Sequence, residues 1–279
     1  MTIDLFGDET YGDQYGCIPS PFNYTGSKFK LFSLLKEYFP KSRKCLRDLF
    51  AGGGSVALNA VFDEIYANDI VAPLIEFYRF LQVNSWGDVL AAIEVHTIPK
   101  DDQEAYLQLR TRFNVSKNYI DFFILVCSCT NNMMRFNQKG EFNQTWGKRT
   151  FNKSIEGKLR NYHTRLYKKN NIFFSNRNFI DCPVFKGDFV YLDPPYTDQG
   201  AGYNAYWSRN MDNILYDYID ELNSKQVTFM LSNVAEHKGK INPYLDRLKK
   251  YRIIHIPFDY NKVSRSGASN TKEIIVINY

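Results

Sequence analysis

The residues best suited to do chemistry are Asp193-Pro194-Pro195-Tyr196, which follow the apolar run Val190-Tyr191-Leu192. Proline has no N–H and fixes φ, so the pair stops a strand and leaves the Asp193 carboxylate and the Pro194 carbonyl as a rigid, acceptor-only arrangement. Two acceptors suit an amino group carrying two protons. An amine attached to an aromatic ring is a poor nucleophile because its lone pair is delocalised. Hydrogen bonds from both protons to Asp193 and Pro194 would push the nitrogen towards tetrahedral geometry and free that pair for attack. Tyr196 offers a flat face on which such a ring could stack. Taken alone, a proline turn closing an ordinary strand would look the same, and the elements upstream decide between the two.

Upstream, an apolar segment from Lys44 ends in Asp48-Leu49-Phe50 and is followed by Ala51-Gly52-Gly53-Gly54-Ser55, then by the helix-like stretch Val56 to Phe62. A short strand, Glu64 to Asn68, comes next and is closed by Asp69. Strand, glycine turn, helix, strand is a βαβ unit, whose ligand belongs at the carboxyl ends of the strands. A glycine turn by itself is as often structural as ligand-binding. Here Asp69 stands where an acid takes ribose hydroxyls, which favours an adenosine-containing ligand. Ala57 occupies the place of the third glycine of a dinucleotide fingerprint, so NAD is not the expected ligand.

The alternation then breaks. From Pro73 to about Asn170 the pattern is helical, with one polar, asparagine-rich interruption from Asn131 to Arg149. The run Phe122 to Cys129 reads as buried helix or strand. After it, strands are expected at Ile172 to Ser175, Phe189 to Leu192, Val227 to Leu231, Ile253 to Pro257 and Ile274 to Tyr279, with helices near 211–223 and 241–250. The division this implies is an acidic tail over 1–20, an α/β domain formed by 21–72 and 171–279, and an inserted, mostly helical domain over 73–170.

With 279 residues, 44% hydrophobic and 16% aromatic, the chain can bury a large core. No apolar run approaches the roughly 18 residues a membrane helix needs, and the first residues are acidic where a signal peptide is basic; a soluble, cytoplasmic protein is expected. The five cysteines are scattered and lack paired spacing, so no structural zinc site or disulfide framework is expected. The net charge of +5 is unevenly spread: residues 135–169 hold ten Lys and Arg against Glu141 and Glu156. Such a run is often only a solvated face, and its meaning depends on what it adjoins.

The motifs occur in the order seen in the Dam family of DNA adenine methyltransferases, which the sequence resembles from about Pro21 to Tyr279, with particular similarity to the T-even bacteriophage members. They are Tyr24-Thr25-Gly26-Ser27-Lys28, the loop from Asp48 to Ser55, Asn68-Asp69-Ile70, and Asp193 to Tyr196. The resemblance implies a Rossmann-like, S-adenosylmethionine-dependent methyltransferase sheet carrying an inserted, mostly helical target-recognition domain with a β-hairpin. It implies that Tyr24, Lys28, Asp48, Phe50, Gly52, Gly54, Asp69, Phe179 and Asp193 surround S-adenosylmethionine, that Tyr203 closes over the site, and that Asp193, Pro194 and Tyr196 act on an adenine flipped from the duplex. Ser232-Asn233 and Glu236-His237-Lys238 resemble the segment that supports the pocket.

In the insertion, Asn131 to Asn137 followed by Lys139-Gly140-Glu141-Phe142-Asn143 fits a hairpin turning near Lys139-Gly140. Arg135 can donate bidentately to guanine, the asparagines Asn131, Asn137 and Asn143 can bond adenine edges, and Met133 lies among them. Lys148 and Arg149 would bind phosphate, and Arg110 matches a further position near double-stranded DNA. The target would be GATC or a variant of it. Members that methylate GATC have a proline before an aromatic-glycine pair, whereas Thr145 precedes Trp146-Gly147 here. A companion restriction endonuclease is compatible with this reading. Two alternatives keep parts of it: a regulatory DNA-binding module with a vestigial pocket, and an amino-methyltransferase acting on cytosine, RNA or protein. Enzymes of the second kind tend to have Ser or Asn at the first motif position, against which Asp193 argues.

Overall fold

The computed structural model describes residues 16–22, 26–167, 169–196, 207, 209–237, 239–257 and 271–279. Its strands are β1 (Cys45–Asp48), β2 (Glu64–Asn68), β3 (Ile172–Ser175), β4 (Phe189–Leu192), β5 (Thr228–His237), β6 (Lys240–Ile241), β7 (Arg252–His255) and β8 (Thr271–Ile277). They form one sheet in the order β3-β2-β1-β4-β5-β8-β7, with β6 pairing β5 off this path. Neighbours from β3 to β5 are parallel, and β8 lies antiparallel between β5 and β7. The order turns back on itself between β1 and β4, where an open α/β sheet leaves a crevice at its carboxyl edge. The expected Rossmann-like sheet is therefore present.

Two helical layers cover it. The strand residues sort by alternation: Phe189, Tyr191, Met230, Ile275 and Ile277 face one hydrophobic cluster, while Val190, Leu192, Phe229, Leu231, Ile274 and Val276 face the other. Helix α8 (Arg209–Ser224) fills the second cluster with Leu215, Ile219 and Leu222, joined by Leu248 of α9 (Leu245–Leu248). The first face is covered by α1 (Phe32–Leu35), α2 (Ser55–Asn59), α3 (Ala72–Val83), α4 (Trp86–His96), α5 (Gln103–Ser116), α6 (Tyr119–Ser128) and α7 (Lys153–Tyr167).

The ambiguous run Phe122 to Cys129 is the greater part of α6, which is buried almost all round because α3, α4 and α5 pack against it. Asn118 starts this helix by accepting from the backbone of Ile120 and Asp121 at 2.8 and 3.0 Å. Phe77 and Phe123 stack in the middle of the layer at 4.6 Å between ring centroids. These residues belong to the same cluster as Leu46, Ile65 and Tyr191 of the sheet. The helices of segment 73–170 and the sheet thus share one continuous core.

Some boundaries differ from the expectation. The helix after the glycine loop stops at Asn59 because Ala60 is extended. The strand expected from Val227 to Leu231 starts at Thr228 and runs on to His237, and the helix expected over 241–250 shrinks to α9 because β6 and Pro243 take up its front. The tail does not stay loose through residue 20: Cys17 and Ile18 are buried, and Ile18 exchanges backbone hydrogen bonds with the Asn59 amide at 2.8 and 2.9 Å. Residues 1–15 lie outside the described residues. Among those described, no helix is long and apolar enough to cross a membrane.

Candidate active site

The glycine loop sits where β1 ends. Leu49 N–H bonds the Tyr191 carbonyl and Ala51 N–H that of Asn68, at 3.1 and 2.8 Å, so the loop is pinned to both neighbouring strands. Asp69 accepts from Gly52 N–H through one carboxylate oxygen and from Val71 N–H through the other, at 2.8 and 2.9 Å. Its place at the end of β2 is the one that suits a ribose, but in this structure it also holds the loop's shape. Asn68 ties the Leu49 carbonyl to Arg177 on the far side of β3.

Two tyrosines support the loop from below. Tyr78 of α3 donates to the Gly52 carbonyl at 2.8 Å. Gly54 has φ of +72°, and a Cβ there would lie 2.3 Å from the Tyr162 hydroxyl oxygen of α7. Both tyrosines lie within 73–170, the stretch assigned from sequence to the inserted domain, so residues near its ends help build the loop.

Asp48, at the end of β1, is 1% exposed, and its Oδ1 has no hydrogen-bond partner. Burial, with Asp193 and Asp69 nearby, pushes its carboxyl well above the usual carboxylate range. Burial also raises Asp69. Three acids converge here, and the described residues offer one buried ammonium, that of Lys28. The Phe50 ring lies tilted against Phe179 at 5.1 Å and edge-to-face with Trp207 at 5.7 Å, and Phe179 is itself only 4% exposed. Phe179 therefore lines the wall largely from within the core. Tyr24 and Tyr203, expected near the cofactor, lie outside the described residues.

Asp193 leaves β4 directly beside Asp48. Its Oδ1 is 2.7 Å from Lys28 Nζ, and Lys28 is buried. The same ammonium donates to the Gly26 carbonyl at 3.1 Å and lies 5.2 Å from the centre of the Tyr196 ring. The Tyr196 hydroxyl donates to Glu273 Oε2 of β8 at 3.3 Å. Burial is the largest influence on Asp193 and raises it to about 6, against the opposing pull of Lys28. Lys28 feels burial most, which works to lower it, but Asp193 and Glu273 together hold it above the ordinary ammonium value.

Pro194, Pro195 and Tyr196 form one wall of a cavity of about 420 Å³, whose other wall includes Tyr216, Asn233, His237 and Tyr244. That volume falls within the range of small-ligand pockets. Ser232 bonds the Tyr191 hydroxyl at 2.9 Å, and Asn233 donates to Tyr216 at 3.0 Å, so this pair stiffens the cavity floor. Lys238 lies outside the described residues. Among the described residues no group of His, Cys, Asp and Glu is arranged to hold a metal.

The polar interruption folds as a hairpin, with Phe136 bridged to Phe142 and Cys129 to Trp146. The turn spans Asn137 to Glu141, with Gly140 at φ of +72°. The Asn137 side chain shapes the turn: its Oδ1 accepts from Lys139 and Glu141 N–H and its amide nitrogen donates to Glu141. Arg110 donates to the Gln144 carbonyl at 3.3 Å, and Arg149 to Asn132 at 2.8 Å. Thr145 is exposed and its hydroxyl meets that of Thr130 at 2.9 Å. Lys148 reaches over the Trp146 ring, Asn131 is exposed, and Met133, Arg135 and Asn143 are half-buried. Asn143 Oδ1 is buried without a partner.

A family model for the D12 class of N6 adenine-specific DNA methyltransferases matches residues 24–257, which is most of the chain. The chain belongs to this family. Its relatives include the type II methyltransferase M.FokI of Planomicrobium okeanokoites, 33% identical over 94% of this chain and 43% of that protein. The modification methylase StsI of Streptococcus sanguinis is 30% identical over the same shares. The DNA adenine methylase of Salmonella typhi is 29% identical over 88% of each chain. The chain thus spans less than half the length of the modification methylases it matches. Around the motifs, Tyr78 and Tyr162 contact the glycine loop and Glu273 meets Tyr196, contacts that their sequence context, an apolar helix, a basic helix and an apolar strand, gives no sign of.

Proposed function

We propose that the chain transfers a methyl group from S-adenosylmethionine to the N6 amino group of an adenine in duplex DNA. The observation that carries this reading is Asp193, held at the carboxyl end of β4 by Lys28 and Tyr196 with one carboxylate oxygen taken by the ammonium. The remaining oxygen and the Pro194 carbonyl can accept the two protons of the amine. With its carboxyl at about 6, Asp193 is ionised at neutral pH and able to accept.

The residues around the glycine loop fit the cofactor. Asp48 Oδ1 is an orphaned acceptor in a site rich in acids, and a ligand bearing a sulfonium and an ammonium supplies the missing positive charge. S-adenosylmethionine, when bound, supplies an electrophilic methyl. Asp48 and Asp69 would hold it through its amino and ribose groups, and the glycines let the backbone approach. Asp193 and Pro194 orient the amine's lone pair, Tyr196 offers a face to the base, and the amino proton displaced by methylation can pass to the Asp193 carboxylate. The hairpin around Arg135 and the basic stretch after it would take up the DNA, and Thr145 leaves the target sequence open between GATC and a variant.

The test is transfer of labelled methyl to duplex DNA, followed by mass spectrometry of the digested nucleosides. N6-methyladenine is expected as the product, and Asp193→Ala is expected to abolish it while circular dichroism shows a folded protein. Labelled cytosine or RNA, or full activity in the variant, would overturn the reading.

A further inference from the structure

Glu273 is the residue of β8 that the motifs do not account for. Alternation places it on the same side of the sheet as Ile275 and Ile277, in a strand otherwise apolar from Ile274 to Ile277. It is 5% exposed. A carboxylate is held in so apolar a place only at a cost, unless polar partners are waiting for it. Its strand is fixed: the Glu273 carbonyl accepts from Ile256 N–H at 3.0 Å, and Glu273 lies opposite Val234, next to a register irregularity between Val234 and Glu236 of β5. Its side chain leads to the site, where Oε2 accepts from the Tyr196 hydroxyl at 3.3 Å. Tyr196 in turn lies over the ammonium that pairs with Asp193.

We propose that Glu273 is a positioning residue for methyl transfer, fixing the Tyr196 ring against the acceptor base and completing, with Asp193, the anionic surroundings of Lys28. The inference rests on the methyltransferase reading above. Two acids around one buried ammonium let that ammonium serve Asp193 without over-binding it. The ring is fixed at both ends: by the proline-limited backbone at its root and by Glu273 at its hydroxyl. A ring held in this way presents its face without having to be ordered when the base arrives.

The electrostatic consequence can be checked separately. Among the described residues, Asp193 is faced by Lys28 from the segment before α1, Asp48 from β1, Tyr191 of its own strand, Tyr196 and Glu273. The negative charge of Glu273 raises Asp193, so its removal must let Asp193 ionise at lower pH.

The test compares Glu273→Gln, Glu273→Ala, Tyr196→Phe and the Glu273→Ala/Tyr196→Phe double variant, each checked for folding by circular dichroism and for cofactor binding by calorimetry. Glu273→Gln keeps an acceptor for the hydroxyl, so its kcat near neutrality should stay close to wild type while the acid limb of its pH–rate profile moves to lower pH. Glu273→Ala and Tyr196→Phe should each lose on the order of tenfold or more in kcat with the KM for cofactor little changed, as expected of a misplaced group. The double variant should be no worse than either single one. Multiplicative losses in the double variant, or an acid limb unmoved by Glu273→Gln, would overturn the role given to Glu273. A wild-type protein that methylates no DNA would instead overturn the transferase reading, and this proposal with it.

Discussion

At the scale of the residue, the site is a problem of charge. Asp48, Asp69 and Asp193 converge at the carboxyl ends of the strands, and burial raises all three. Burial, with Asp193 and Asp69 nearby, pushes the Asp48 carboxyl well above the usual range before any cation arrives. A positively charged cofactor beside it stabilises the ionised form and lowers its pKa, so whatever fraction of Asp48 is protonated gives up its proton on binding. Calorimetric titration of S-adenosylmethionine near pH 7 in buffers of different ionisation enthalpy should therefore show net proton release, and Asp48→Asn should abolish most of it. Equal binding enthalpies in all buffers would mean that Asp48 is already ionised. The second consequence concerns rate. Asp193 must be ionised to accept the amine's protons, so activity should fall as pH drops through about 6, the value to which burial raises it. The acids themselves were legible in the sequence because each ends an apolar strand. Their coupling was not, since Lys28 is separated from Asp193 by more than half of the chain and Tyr196's partner lies in the last strand.

At the scale of the element, the glycine loop shows what a motif conceals. The run Gly52-Gly53-Gly54 signals a tight turn after a strand, and β1 and α2 duly flank it. What it does not signal is the reason Gly54 must be glycine. A side chain there meets the Tyr162 hydroxyl oxygen at 2.3 Å, and φ of +72° is a conformation that costs other residues about 1–2 kcal/mol. Gly54→Ala should accordingly weaken cofactor binding and lower the melting temperature. Adding Tyr162→Phe removes the clashing oxygen, so the double variant should recover part of the loss. A double variant no better than Gly54→Ala alone would show that the strain is in the backbone only. The aromatic-glycine pair of the hairpin has a similar cause: a Cβ on Gly147 would lie 2.5 Å from the Cys129 backbone, so the hairpin packs on the end of α6 through a residue without a side chain. The strands with strong apolar runs were readable in place and to within about three residues, except that β5 runs on six residues past its expected end at Leu231. The helices of 73–170 were readable as helical, but not as part of the same core, because apolar faces do not state what they will cover.

At the scale of the molecule, the question is how a shared core joins chemistry to DNA. The basic residues are concentrated in 135–169, after the hairpin turn and along α7, whose inner face carries Tyr162 up to the glycine loop. The same helix thus contributes to a cationic stretch and to the support of the cofactor loop. The hairpin divides its labour more finely than its composition suggests. Asn137 serves the turn, Arg110 and Arg149 brace the hairpin through Gln144 and Asn132, and the half-buried Arg135 precedes the turn. If Arg135 reads a guanine edge, Arg135→Ala should cost about 1–3 kcal/mol at the preferred site and much less elsewhere. Lys148 is exposed above Trp146, a place suited to phosphate. Lys148→Ala should weaken all duplexes alike and reduce the slope of log affinity against log salt by about one. Filter binding or fluorescence anisotropy at several salt concentrations, on a set of duplexes differing at single base pairs, separates the two. Uniform loss for both variants would assign Arg135 to the backbone as well. The choice of sequence would then have to come from groups such as Asn143, whose carbonyl oxygen has no partner, and Thr145, whose hydroxyl is already engaged with Thr130.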